Sequence, residues 1–396
     1  MISVQEAKTL IKNHISPLKN KKVKLESSLG AVLAEDIYAP LDLPPFPQSS
    51  MDGYAFDLNG WKHGSPLRVT SVVAAGNTED PPVKAGEAVR IFTGAPLPTS
   101  CNVVVKQENV NMFDDNILIN QEEVSINENV RAPGSEITKG TLGLEAGFQM
   151  TPPAIGFLAS MGIDTIEILP SPRVTILVTG DELVGPGTSL KRGQIYESNA
   201  KMLTAALSQL GITAIKVKHI HDQLEAHTKA LKEALTDSDL VLFSGGISVG
   251  DYDFVAKANE EAGVKTIFHK IKQKPGKPLF FGMHGEIPVF GLPGNPASVM
   301  SCYYNYITLA IQQLTSRPCR PVVAFARLAG DYKKPEDMTH FLKGKFLQET
   351  VEILDGQESY RLNSFALANC LIEMETSKDF IAKGDWVKVH LINKNI

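Results

Sequence analysis

The chain has 396 residues, 43% of them hydrophobic and 21% charged, with a formal net charge of −5. That length suits two to four domains of a soluble globular protein. The mild acidity supplies no global basic field for nucleic acid. No apolar run approaches the ~18 residues of a membrane span, and the four scattered cysteines (Cys101, Cys302, Cys319, Cys370) form no C-x-x-C pair. A disulfide framework and a zinc knot are therefore not expected, and a reducing, cytoplasmic setting is.

In chain order, Ser3 with Glu6 reads as a capping box. It opens a helix whose apolar face is Val4, Ala7, Leu10, Ile11 and Ile15, rather than a signal peptide. A proline-rich linker, Leu43-Pro44-Pro45-Phe46-Pro47, follows. Short β-like runs over 67–73, 88–92, 103–105 and 117–119, parted by Gly, Pro and Asn clusters, predict a small β module. Thr151 before Pro152-Pro153 is an N-cap with proline in the first turn, and Gly162 is the stop of that helix. A helical segment resuming after a β insertion implies a discontinuous first domain. From Pro172 the rhythm becomes strand–helix alternation. Strands are expected over 174–178, 215–217 and 240–243, with helices capped by Ser198 and by Asp222 with Glu225. That order predicts a parallel sheet covered by helices, with a site at the carboxyl ends of its strands. Beyond Arg317-Pro318, runs over 322–328, 345–347, 371–375 and 386–391 predict a C-terminal β domain.

The most informative stretch is Ser244-Gly245-Gly246-Ile247-Ser248-Val249-Gly250-Asp251-Tyr252-Asp253. Glycines and serines between a strand and a helix leave amide N–H groups bare for a phosphate. Two carboxylates in the same loop need a cation beside that phosphate, which points to Mg²⁺. Neither the Walker A lysine nor the dinucleotide spacing is present. Thr179-Gly180-Asp181-Glu182 after the first strand reads, alone, as an ordinary turn. Lys270, Lys272, Lys274 and Lys277 form a basic run stiffened by Pro275, Gly276 and Pro278, suited to an anion. Gly291-Leu292-Pro293-Gly294-Asn295-Pro296 is an amide-rich turn into a helix. Met51-Asp52-Gly53 and Thr93-Gly94-Ala95 are unremarkable turns when taken singly. His219 and His221, two apart on a strand, are expected to pack on one face.

In this order the motifs resemble those of the MoeA family, the molybdopterin molybdenumtransferases related to the E domain of gephyrin. The resemblance spans nearly the whole chain. It implies a multidomain α/β fold: a discontinuous α+β domain (1–42 and 132–170), a small β domain (43–131), a three-layer molybdopterin-binding α/β domain with a mixed, mainly parallel sheet (171–316), and a C-terminal β-barrel-like domain (317–396). The implied reaction is insertion of molybdate into adenylylated molybdopterin with Mg²⁺-dependent release of AMP. The implied catalytic set is Asp52, Thr93, Glu182, Asp222, Asp253, Lys270 and Lys274, with Glu182 and Asp253 on the metal. The implied ligand-binding set is Ser244, Gly245, Gly246, Ser248, Gly250, Lys277, Gly291, Pro293, Gly294, Asn295 and Pro296. Lys343, where arginine is usual, and Ser364 join it from the last domain. A homodimer is implied, with a MogA-type adenylyltransferase and molybdopterin synthase as further partners. The rival readings are a MogA-like adenylyltransferase and a non-enzymatic scaffold of the gephyrin kind. Without the resemblance, the residues reach only a cytosolic α/β protein that binds a phosphorylated ligand with Mg²⁺.

Overall fold

Six consecutive buried residues, Val174–Thr179, set the centre of one sheet. A β-branched run with no polar face is what a strand covered on both sides requires. The computed structural model describes residues 1–245, 252–334, 337–375 and 379–392, with the side chains of 252–256 outside the description. It divides into two compact units, residues 1–20 with 169–396, and residues 21–168.

In the first unit, α1 is Val4–His14. The α/β sheet comprises β1 (Val174–Thr179), β2 (Ile215–Ile220), β3 (Leu240–Ser244), β4 (Lys265–His269), β5 (Phe280–His284) and β6 (Ile287–Leu292). Its strand order is β2-β1-β3-β6-β5-β4. The first four are parallel, β5 alone runs antiparallel, and β4 at the edge runs in the same direction as the first four. Alternation decides which layer each residue serves. Ile176, Val178, Leu240 and Leu242 pack with α2 (Asn199–Gln209). Leu177, Val241 and Phe243 pack with α3 (Leu224–Asp237). The sheet thus has a helical layer on each face, as expected, and burying one such leucine contributes roughly 2 kcal/mol. The expected caps differ. Ser198 makes no side-chain cap bond; the Glu197 carboxylate accepts from Ala200 N at 2.6 Å instead. Asp222 is not the cap of α3 either, because Gln223 occupies that position without a side-chain bond.

The N-terminal capping box is present, Ser3 N to Glu6 Oε2 at 2.7 Å and Glu6 N to Ser3 Oγ at 3.1 Å. The helix it opens does not join the discontinuous domain, where residues 1–42 were expected. Val4, Ala7 and Ile11 are buried in the α/β core with Leu309 and Ile311. Its apolar face found a better-matched surface on the long helical run α5 (Pro296–Cys302), a π-turn (Tyr303–Ile307) and α6 (Thr308–Thr315).

The last strands, β7 (Val322–Leu328), β8 (Thr339–Leu347), β9 (Thr350–Ile353), β10 (Cys370–Met374) and β11 (Trp386–Leu391), form a closed ring, because β8 pairs with both β9 and β10. The handover falls at Gly344, which faces Ile353 on one side and Cys370 on the other. A Cβ there would lie 2.7 Å from Ile372 Cδ1, so a larger residue would have to push the Ile372 side chain aside.

The second unit carries a six-stranded sheet, in which Gly53–Phe56 lies between Val103–Lys106 and Glu87–Ile91. A Cβ at Gly53 would sit 2.0 Å from Val105 O. A separate core gathers Leu25, Leu33, Ile137, Ala154 and Leu158. Thr151 caps the helix Pro152–Ser160 as read from sequence, and Gly162 follows it at φ +77°. Residues from before the β insertion (Leu25, Leu33) and after it (Ile137, Ala154, Leu158) share this core.

Candidate functional site

The registers bring the motifs of the α/β domain to one edge. Thr179 pairs with Ile220, Ser244 with Val178 and Leu292, Gly291 with Phe280, and Phe280 with His269. The turns after β1, β2, β3, β4 and β6, and the one before β5, therefore all open on the same side. From β1 to β4 there are four strand steps, or about 19 Å of sheet. The acidic turns Asp181-Glu182 and Asp222 lie at one end of this edge, Lys270 at the other, and the two glycine-rich turns between them.

At the centre, Gly245 has φ +95°, and a Cβ on it would lie 2.6 Å from Thr179 O. The two turns are thus packed backbone to backbone. Thr179 Oγ1 and Ser244 Oγ are buried there with no hydrogen-bond partner among the described residues. Two hydroxyls left in that state at adjacent strand ends are costly. Gly246, Ser248 and Gly250 lie outside the described residues, as does the side chain of Asp253. Glu182 is exposed, and its carboxylate folds over Gly180. His221 does not pack as expected; it is exposed beyond the strand end, with Nδ1 2.8 Å from Asp181 Oδ1. Asp222 is exposed beside it, and Lys270 is half-buried at φ +69°.

A cavity of about 640 Å³ opens where Lys274, Lys277, Pro293, Gly294 and Asn295 meet the loop Gln357, Glu358, Ser359 and Tyr360. The Gly294 carbonyl accepts from Asn199 Nδ2 at 2.8 Å, and Asn295 Nδ2 donates to Ser359 Oγ at 2.8 Å. Gly291 and Pro293 are buried beneath this turn. The expected role of Lys343 is overturned. The residue is 2% exposed, and its ammonium donates to the carbonyls of Gly356 (2.5 Å), Arg361 (3.0 Å) and Glu358 (3.4 Å). An ammonium has three donors, and this loop uses them all. Burial pulls its pKa below the ordinary lysine value. Ser364 likewise spends its hydroxyl on Gly356 O at 2.7 Å. Both residues hold the loop that lines the cavity instead of facing into it. Sequence offered no sign of this, because the acceptors are backbone carbonyls.

In the second unit, the turns that carry Asp52 and Thr93 converge. Thr93 N and Oγ1 both donate to Asp52 Oδ1 at 2.8 Å. These bonds, with a smaller contribution from Arg90, hold the Asp52 carboxyl below its ordinary pKa. Arg90 is fixed over the Tyr54 and Phe92 rings and donates to Gly53 O at 3.0 Å. The unit thus presents an ionised, oriented carboxylate on a rigid turn.

A three-layer α/β domain with glycine-rich turns at its carboxyl edge, joined to a small closed barrel, defines a multidomain α/β protein. Three family profiles match it in succession: the MoeA N-terminal region (domain I and II) over residues 2–162, the probable molybdopterin binding domain over 175–313, and the MoeA C-terminal region (domain IV) over 326–392. The chain belongs to the MoeA family. It is 32% identical to the molybdopterin molybdenumtransferase of Haemophilus influenzae, with 99% of each chain covered. It is 31% identical to that of Staphylococcus epidermidis, over 100% of this chain and 96% of the other. Among solved structures, the MoeA protein of Pyrococcus horikoshii superposes with a TM-score of 0.83 at 28% identity, covering 99% of each chain.

Proposed function

We propose that this chain is a transferase of molybdenum cofactor biosynthesis that inserts molybdate into adenylylated molybdopterin and releases AMP. The observation that carries this reading is the gathering of acidic, glycine-rich and lysine-bearing turns on one sheet edge beside the 640 Å³ cavity. An elongated ligand with a diphosphate at its middle and a site for an oxyanion at one end matches that layout.

The charges require a cation. Two like charges ~4 Å apart repel by about 4 kcal/mol at an effective dielectric of 20, so the carboxylates do not meet the anions unaided. Among the described residues, no group of three or more His, Cys, Asp or Glu is placed to hold a metal. A cation there would rest on Glu182, on Asp253 and on oxygens of the ligand, with the unsatisfied hydroxyls of Thr179 and Ser244 nearby. An all-oxygen supply with few carboxylates suits Mg²⁺, which when bound offsets the diphosphate charge and polarises the P–O–P bond.

The residues of the chain divide the remaining work. Amides of the 244–250 loop and the N-terminus of α4 (Tyr252–Glu261) hold phosphate oxygens. Lys270 and Lys274 draw in the molybdate dianion and offset its charge, and Lys277 adds positive charge beside them. Asp222 orients a proton donor as oxo groups leave. Asp52, held by Thr93, completes the site from a second copy of the chain, so the working form is a homodimer. Asp253→Asn is the direct test. It is expected to fold while losing Mg²⁺-dependent AMP release from adenylylated molybdopterin in a single turnover. Normal release by that variant overturns the metal assignment.

A further inference from the structure

Lys274 and Lys277 reach solvent, but the backbone between them does not move with solvent. Gly276 is buried at φ +91°, and a Cβ on it would lie 2.6 Å from Cys302 Sγ and 2.7 Å from Gln273 Nε2. Gln273 itself is fully buried. Its Nε2 donates to Pro275 O at 3.0 Å and to Gly276 O at 3.2 Å, and its Oε1 accepts from the Tyr306 hydroxyl. On the other side, Gln273 and Lys274 pair with Thr339 and His340 of β8. Tyr306 is fully buried and sits in the π-turn Tyr303–Ile307, the single break in an otherwise α-helical run over 296–315. A π-turn rotates the residues that follow it relative to an uninterrupted α-helix. Burying a glutamine amide and a phenol together is costly unless each is satisfied, and here each satisfies the other.

We infer that Tyr306 and Gln273 form a buried strut that positions Lys274 and Lys277 for the oxyanion substrate. The strut rests on the function proposed above. It sets how accurately the two ammonium groups are presented, and it touches no substrate itself. A chain of two side chains links the helix behind the sheet edge to the carbonyls between the lysines. Loosening it lets the Pro275-Gly276 peptide rotate and spreads the lysines over more arrangements, so affinity falls through lost preorganisation.

Tyr306→Phe removes one hydroxyl and keeps the ring. It is expected to raise the molybdate concentration for half-maximal activity about tenfold, equivalent to about 1.4 kcal/mol, with a much smaller change in kcat. Gln273→Met, which keeps length while losing both amide contacts, is expected to act in the same direction. The double variant Gln273→Leu/Tyr306→Phe removes the phenol and its acceptor together but leaves the Pro275 and Gly276 carbonyls without their donor, so its melting temperature is expected to recover only in part. Its molybdate requirement is expected to stay raised. Recovery of both quantities makes the strut merely structural and overturns the inference. A parallel Lys274→Ala separates the two levels. If its molybdate requirement is unchanged, the function assigned to the lysine is wrong. If it rises while Tyr306→Phe and Gln273→Met stay at the wild-type value, the strut alone is wrong.

Discussion

The carboxyl edge of the α/β sheet and the C-terminal barrel both carry lysines and carboxylates, and they use them in opposite ways. At the edge, Lys277, Glu182 and Asp222 stand outside the strands and are exposed, and Lys274 is exposed at the last residue of a two-residue strand. In the barrel the charges turn inward. Lys343 is consumed by carbonyls, and Glu373 is buried against His390 Nε2 at 2.6 Å and Lys388 Nζ at 2.9 Å. Lys8 reaches this group from α1, under the ring of Phe341, and burial pushes its pKa down to about 8. Residue type therefore does not distinguish a ligand-facing charge from a structural one. What distinguishes them is whether the residue stands at or beyond a strand end, or within a strand of the closed sheet.

The sharpest way to break this contrast is Lys343→Met. Leaving three loop carbonyls without their donor is expected to cost about 3 kcal/mol of stability, read from denaturant unfolding. A variant as stable as the parent would return Lys343 to the ligand. The buried carboxylate gives an effect of similar order with acid. Burial alone would raise the Glu373 pKa, but the His390 hydrogen bond, the Lys8 charge and Lys388 bring it down to about 2. A carboxylate depressed in the folded state contributes stability that is complete above its unfolded value near 4.5 and disappears as pH falls toward 2. The His390 pKa is lowered by burial, against its bond to Glu373, so its protonation also works against folding on acidification. Glu373→Gln is expected to flatten the acid limb of stability between pH 4.5 and 2; an unchanged limb would place the acid sensitivity elsewhere. At the sheet edge the sign of the experiment reverses. Lys274→Ala is expected to raise the molybdate requirement about tenfold, equivalent to about 1.4 kcal/mol, with little change in unfolding free energy. Equal losses of molybdate and pterin binding would instead mark it as structural. The smallest effect belongs to Ser3→Ala, which removes half of the capping box and is expected to cost about 1 kcal/mol.

Much of the edge was legible before any coordinates, and for a physical reason. Glycine, proline and β-branched residues limit the backbone locally, so strands such as Val174–Thr179 and turns such as Gly291–Pro296 declare themselves. That Asp52 and Thr93 belong to one catalytic set was implied by family resemblance alone, and their hydrogen-bonded pairing was not foreseen, because neither turn hints at the other. Three things were not legible. Lys343 looked like an anion ligand because its true partners are carbonyls, which no sequence displays. The cap at Ser198 failed because the longer Glu197 side chain reaches Ala200 N first. Gln273 sat unnoticed within a basic run, since its importance comes from Tyr306 on a distant helix whose π-turn leaves no mark in the apolar pattern.

Gly344 has a consequence beyond geometry. It stands where β8 passes from β10 to β9, and a larger side chain there would have to displace the buried Ile372. A bulkier residue would part that seam and turn a ring into an open ribbon with two bare strand margins. Bare margins recruit strands from other molecules. A bulky substitution at Gly344 is thus expected to promote clumping as well as to lower stability.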